Sequence, residues 1–371
     1  MSFKDAKKAM DITGTIKGIK YKRTLKRNLD KFDLECFDIN SSPTSSLVFD
    51  RENLFAVSKR VSPKRTRSYP YKRIYDTIHI SKKITVIPAV KDEGKSGDRD
   101  FLQWDTVSMM SLLDIYVVFA YYSDAKKLKN KIVEQSFDND FVISKIREIE
   151  GYYSSGLHWN LKELFGLRFI VDKIKHSYLR IEKKTKVKLH DFKGIDNFRD
   201  KIGENVEEFM KFSREKARNA QIREYKTIQP KESLGTLSKA KITISNYLGG
   251  KYFFTVDEIF LGADVVKLIE SKHSRNSVLP GESDIKDGLI KMVLYSNLDS
   301  VEINGISVKS EAVLKLTSKI FLGTISSKSA KEDIDSCFKA NHLSEKNKEF
   351  IKKIFKEAEE NKFIVQIQGI K

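Results

Sequence analysis

Asp257, Glu270 and Lys272 have residue types and a spacing that suit work on a phosphate ester. In the segment DVVKLIESKHS the period of two puts Leu268, Glu270 and Lys272 on one face of a strand, with Ile269 and Ser271 on the other. A carboxylate and an ammonium at the end of the apolar run VVKLIE either pair with each other or meet a group from outside. Asp257 or Glu258, on the preceding strand, would add a second carboxylate. Two carboxylates and a backbone carbonyl form a hard oxygen site suited to magnesium. A lysine beside it would orient or help deprotonate an attacking water and offset the negative charge that grows on the phosphoryl oxygens. The bland alternative is a cross-strand ion pair between Glu270 and Lys272 on a solvated sheet face.

The surrounding pattern supplies elements to hold these residues. KITISNYL, a turn at Gly249-Gly250, KYFFTVDEIFL, a turn at Gly262-Ala263 and DVVKLIESKHS predict three strands on tight connections. The loop RNSVLPGES, a helix over DIKDGLIKMVLYSN and the strand-rich VEINGISVKSEAVLKLT follow. Upstream, Phe198, Ile202, Val206, Phe209 and Phe212 recur at helical spacing and predict a helix over residues 197–226. The resulting order is helix, three strands, helix, strand.

In that order and in those residues the chain resembles the PD-(D/E)xK nuclease superfamily, whose shared core is αβββαβ with an acid on the second strand and a D/E-x-K tripeptide on the third. Asp257 in FTVDEIF stands where the first acid falls, and Glu270-Ser271-Lys272 takes the place of the tripeptide. The resemblance covers about residues 195–320. It implies magnesium held by Asp257 and Glu270, with Lys272 acting on the water. It also implies an acid from the preceding helix, for which Glu204, Glu207 and Glu208 are candidates and Glu207 the favoured one. The chain departs from the pattern in having Val256, not proline, before Asp257. Glu258 is a rival for the second-strand ligand, and Asp264 is a third position near the turn. Among users of this core the chain looks most like a type II restriction endonuclease. That class implies double-stranded DNA as substrate, a homodimer on palindromic sites, and a cognate DNA methyltransferase acting on the same site.

The N-terminal part, residues 1–190, reads as a mixed α/β region that recognises the target, with the nuclease domain over 191–371. Residues 1–35 are lysine-rich and read as an arm or a loosely packed first element. Between Lys59 and Lys83 nearly all charges are positive and Tyr69, Tyr71 and Tyr75 are interleaved, which suits phosphate contacts with stacking. Arg65, Arg67, Arg73 and Arg99 are candidate DNA contacts, and His273 a candidate phosphate contact. IYDTIHI and KITVIPAV predict a hairpin, FLQWDTVSMMSLL a helix, DIYVVFAYY a buried strand, and residues 141–190 helices. The hairpin and helix of 74–122 imitate a nuclease core, with Asp76 and Lys91, but Ala89 stands where an acid is required. Asp92, Glu93, Asp98, Asp100 and Asp105 read as a solvated loop more readily than as a metal site, and His158 as a packed residue.

Sixty-nine Lys and Arg against 51 Asp and Glu, among 371 residues, leave a formal charge of +18 and favour a polyanionic partner. Cys36 and Cys337 stand too far apart to suggest a disulfide framework, and Ile115–Tyr122, the most apolar stretch, is too short to span a bilayer; both point to the cytoplasm. Two alternatives share these features. One is a repair, transposition or other defence nuclease built on the same core. The other is a non-enzymatic nucleic-acid binder in which Glu270 and Lys272 are only an ion pair.

Overall fold

The first strand, β1 (Asp11–Ile16), alternates DITGTI so that Ile12, Gly14 and Ile16 turn inward while the residues between them face solvent. Its two partners lie at the far end of the chain: it pairs in parallel with β11 (Ala240–Asn246) and antiparallel with β15 (Ser300–Ile303). Residues 11–16 are therefore an internal strand of the C-terminal sheet and not part of a loose arm. Residues 20–25 are tied down as well. The buried carboxylate of Glu357 accepts from the Tyr21 hydroxyl, from the Thr24 hydroxyl and N–H, and from the Leu25 N–H.

The computed structural model describes residues 11–25, 29–59, 63, 74–204, 207–211, 240–262 and 265–370. The chain divides into residues 28–216 and residues 1–27 with 217–371. This differs from the boundary expected after residue 190. Helix α5 (Lys193–Glu204) belongs with 28–216, because Asp196 pairs with Lys175 at 2.8 Å, Arg199 with Asp172 at 3.0 Å, and Phe198 packs 5.1 Å from Phe101. Both units are mixed α/β. No helix among the described residues is long and apolar enough to cross a membrane.

In the first unit, β2 (Lys31–Asp33), β3 (Ser45–Asp50), β4 (Asn53–Lys59), β5 (Lys82–Pro88) and β8 (Ile115–Ala120) form a sheet in that order. The antiparallel pairs β6 (Val90–Asp92) with β7 (Arg99–Phe101), and β9 (Tyr122–Leu128) with β10 (Lys131–Phe137), lie outside it. The expected hairpin over 74–90 is not formed. Residues 74–80 make successive turns, in which Thr77 N–H and hydroxyl both bond back to the Ile74 carbonyl at 2.9 Å. β5 takes parallel partners on both sides, β4 and β8, so neither of its edges is left for a hairpin mate.

Helices α1 (Trp104–Leu112), α2 (Asn139–Glu150), α3 (Gly156–Phe165) and α4 (Leu167–Thr185) follow the expected order. Strand β8 is buried at all six positions, as its unbroken apolar run predicts. Its outer edge is closed by side chains of α3. Asn160 accepts from Val117 N–H at 2.7 Å and donates to the Ile115 carbonyl at 2.9 Å, while Trp159 Nε1 donates to the Val117 carbonyl at 2.9 Å.

In the second unit, β11 turns back through Gly249, at φ 72°, into β12 (Lys251–Val256). After Asp257 the chain changes partner: β13 (Glu258–Leu261) pairs with β14 (Val265–Ser274). β14 runs parallel to β16 (Ile306–Ser318), and the connection between them carries α6 (Glu282–Tyr295) and β15. β16 is also parallel to β18 (Ile364–Gly369); β17 (Thr324–Ser326), α7 (Lys331–Ala340) and α8 (Glu345–Glu360) lie in that connection. The sheet path starts at β12 and finishes at β13, the two strands joined by Asp257, so the sheet curls back on that residue. The helix expected over 197–226 is present as α5 and the helical residues 207–211, within the first unit; residues 212–239 lie outside the described ones.

Candidate functional site

The break between β12 and β13 decides which acid faces which way. β12 ends on the pair Val256–Ala240 and β13 begins on Glu258–Ile269, so Asp257 stands opposite Glu270 in the continued register. One Asp257 oxygen accepts from the Ser271 N–H at 3.0 Å, which fixes the carboxyl against β14. Glu258 turns to the other face, where it pairs with Lys315 at 2.9 Å and accepts from the Ser271 hydroxyl at 2.9 Å. Asp257, not Glu258, is therefore the neighbour of Glu270. Asp264 lies outside the described residues.

Glu270 is 2% exposed at its side chain and is held by two ammonium groups, Lys272 at 3.0 Å and Lys291 at 2.6 Å. Lys291 comes from the middle of α6 and also reaches the Thr255 carbonyl at 3.4 Å. Lys272 runs along α6 at Gly288, where an added Cβ would lie 3.5 Å from its Cε and only 2.5 Å from a Leu314 methyl. The missing side chain at Gly288 is what lets the lysine stem and Leu314 pass beside the helix.

The electrostatics follow from this geometry. Burial, reinforced by the negative charge of Glu270, pushes the Asp257 carboxyl up to about 7, against a smaller opposing pull from Lys291. Burial would raise Glu270 too, but the charges of Lys291 and Lys272 together hold it below the ordinary carboxylate value. Burial acts to lower Lys291, and the Glu270 carboxylate overrides it and raises the lysine. The pair thus keeps one carboxylate ionised and the other close to half-protonated at neutral pH. Both Glu270 oxygens are taken by ammonium groups, so the two carboxylates could hold a divalent cation only where one of those contacts opens.

Removing Lys291 should be costly, because Glu270 would lose the shorter of its two contacts, at 2.6 Å, and the lysine whose charge acts on it most strongly. Lys291→Met is expected to destabilise the chain by about 3 kcal/mol or more in urea unfolding at pH 7. A change below about 1 kcal/mol would mean that the cluster is open to water.

The other expected positions fall as follows. Glu207 is exposed and belongs to the unit of residues 28–216, whereas Asp257 and Glu270 belong to the other. Glu208 pairs with Lys211 at 2.8 Å, and the side chain of Glu204 lies outside the described ones. Among the described residues no three His, Cys, Asp or Glu side chains come together to hold a metal ion. His273 is exposed, with Nδ1 3.1 Å from the Thr317 hydroxyl, and by strand alternation it shares the face of Ser271 rather than that of Lys272.

Arg99 donates to the Asp191 carbonyl at 2.6 Å and lies 5.3 Å from the Phe101 ring centre, a brace for the turn into α5. Arg65, Arg67 and Arg73 lie outside the described residues. Of the imitated core in 74–122, Asp76 is buried, Lys91 pairs with Glu93 at 2.7 Å, and buried Asp92 accepts from Gly94 N–H at 2.8 Å and lies 2.8 Å from His190 Nδ1. His158 is exposed beside the fully buried Trp159. The residue that sequence reasoning missed is Lys291, and its signal is the glycine three residues earlier on the same helix face. Comparisons with protein-family models, with curated proteins and with solved structures give no match to this chain.

Proposed function

We propose that this chain is a magnesium-dependent endonuclease that hydrolyses phosphodiester bonds of double-stranded DNA at a specific sequence, in the manner of a type II restriction endonuclease with a PD-(D/E)xK core. The observation that carries the reading is the facing pair of carboxylates, half-buried Asp257 and buried Glu270, with Lys272 on the same strand face. The strand order supports it: β11, β12 with its continuation β13, and β14 lead into α6, and β16, reached through the short antiparallel β15, runs parallel to β14.

Asp257 and Glu270 would hold the cation, with Glu207 as the third acid that the resemblance implies. Magnesium bound there supplies positive charge against the scissile phosphate. Lys272, released from part of its tie to Glu270, orients the attacking water and offsets charge on the phosphoryl oxygens. Lys291 stays with Glu270 and keeps it ionised. A homodimer on palindromic sites, a companion methyltransferase and a cytoplasmic setting follow from the restriction reading and share its fate.

A second reading has its own observation. Glu270 is already satisfied by two lysines, which is what a purely structural ion cluster in a basic nucleic-acid binder requires. Incubation with long mixed-sequence duplex DNA, unmethylated and methylated, separates the two. Discrete fragments that form with magnesium and not with EDTA are expected. Binding without cleavage on every substrate would leave only the structural cluster.

A further inference from the structure

The loop between β16 and β17 holds two aliphatic side chains out in water on a backbone fixed by hydrogen bonds. Ile320 is 50% exposed and Leu322 62% exposed, while Phe321 between them is 3% exposed, so the chain alternates out, in, out around a buried anchor. Ile320 N–H donates to the Ser318 hydroxyl at 3.1 Å, and that hydroxyl donates to the Ser277 carbonyl at 2.7 Å. Leu322 N–H donates to Asn341 Oδ1 at 2.6 Å, and Asn341 Nδ2 donates back to the Leu322 carbonyl at 2.9 Å. Gly323, at φ 82°, turns the chain into β17, and its carbonyl accepts from the Gly369 N–H at 2.9 Å. Aliphatic groups preset in this way lose little further freedom when a partner covers them.

The loop belongs to the rim of the carboxylate site. β14 and β16 run parallel with Lys272 opposite Leu316 and Ser274 opposite Ser318, and the Lys319 N–H donates to the Ser274 carbonyl at 3.2 Å. The loop therefore leaves the strand pair two residues past the level of Lys272, about 7 Å along it. That span equals two base steps of a duplex at about 3.4 Å each. The rim is also free of acids. Residues 271–281 and 315–324 include Lys272, Arg275, Lys315 and Lys319 and no Asp or Glu, and of these cations Arg275 and Lys319 are exposed.

Charge and chemistry together choose the partner. A second copy of this chain would set one acid-free rim against another, whereas a polyanion meets Arg275 and Lys319 with complementary charge. Ile and Leu side chains offer no hydrogen-bond donor or acceptor, so they take no part in the polar code of base edges. Apolar side chains of these types serve DNA by entering the minor groove and unstacking a base step, which kinks the duplex. We infer that Ile320 and Leu322 wedge into one base step of the bound duplex from the minor groove, while Arg275 and Lys319 supply positive charge beside it. The inference takes its duplex and the place of the scissile phosphate from the nuclease reading.

The test reads unstacking without cleavage and without knowledge of the target sequence. The full chain in EDTA is bound to relaxed closed-circular plasmid, which is then treated with a topoisomerase that needs no metal and stripped of protein. Wild type is expected to leave a changed linking number that grows with the protein bound. Ile320→Ala/Leu322→Ala should bind plasmid within about threefold of wild type and change the linking number at least about fivefold less per molecule bound. Both side chains are exposed and Phe321 is kept, so the variant should fold, which an unchanged thermal midpoint checks. A linking number unmoved by bound wild type, or moved equally by the variant, would overturn the inference. So would flotation with anionic vesicles, or a dimer, that wild type shows and the variant loses while the linking number stays put. Magnesium-dependent cleavage without the topological change sinks the wedge alone, and the change without cleavage sinks the nuclease reading alone.

Discussion

Lys272→Ala is expected to lower magnesium-dependent cleavage of duplex DNA by at least a factor of about 100 while leaving duplex affinity within about twofold. The separation rests on what Lys272 touches. Its ammonium is mostly buried and bonded to Glu270, so it adds little to the exposed positive charge that sets affinity for a polyanion. The variant should also fold, because Lys291 remains at 2.6 Å from Glu270 and no buried carboxylate is stranded. Cleavage rates and filter binding on one substrate, with urea unfolding as a control, read the three quantities separately. Cleavage that survives within about threefold would remove Lys272 from the chemistry.

Asp257→Asn should have the second largest effect, and in an unusual direction: without metal it stabilises the protein. The folded Asp257 carboxyl sits at about 7 against an ordinary value of 3.8, so folding binds its proton more tightly than the unfolded chain does. That contribution is present below about pH 4 and is lost as the pH rises towards 7. In EDTA, wild type should therefore lose stability across this window. The variant should not, since its uncharged amide still offers an oxygen to the Ser271 N–H. Above pH 7 the variant should exceed wild type by about 2–4 kcal/mol. Magnesium should raise the stability of wild type at pH 8, leave the variant unmoved, and support no cleavage by it. Parallel unfolding curves for the two proteins across pH 4–8 would place Asp257 in contact with water and not in a buried pair.

The strand order around the site was legible because KITISNYL, KYFF and VVKLIE alternate over short runs between glycine turns, and these became β11, β12 and β14. Glu270 and Lys272 were legible for the same reason. The choice between Asp257 and Glu258 was not, since period-two counting assumes one unbroken strand and the chain changes partner at Asp257. Lys291 was hidden because a lysine within a helix reads as one whose head reaches water. Its burial depends on Glu270, which lies 21 residues away in sequence. β1 was obscured by the lysines around it, which outweighed the alternation of Ile12, Gly14 and Ile16. The turns at 74–80 show tertiary pairing overriding the β-branched composition of IYDTIHI.

The position of β1 between β11 and β15 also sets a clock. The strand is made before both of its partners, and the first of them follows roughly 220 residues later. At ordinary synthesis rates that is a wait on the order of ten to a few tens of seconds. During it, residues 28–216 can fold as a unit, their sequence lying between the stretches that make up the other sheet. The carboxylate pair cannot assemble until β14 and α6 are made, so a nascent chain carries the basic segment of residues 59–83 long before it carries the two facing acids.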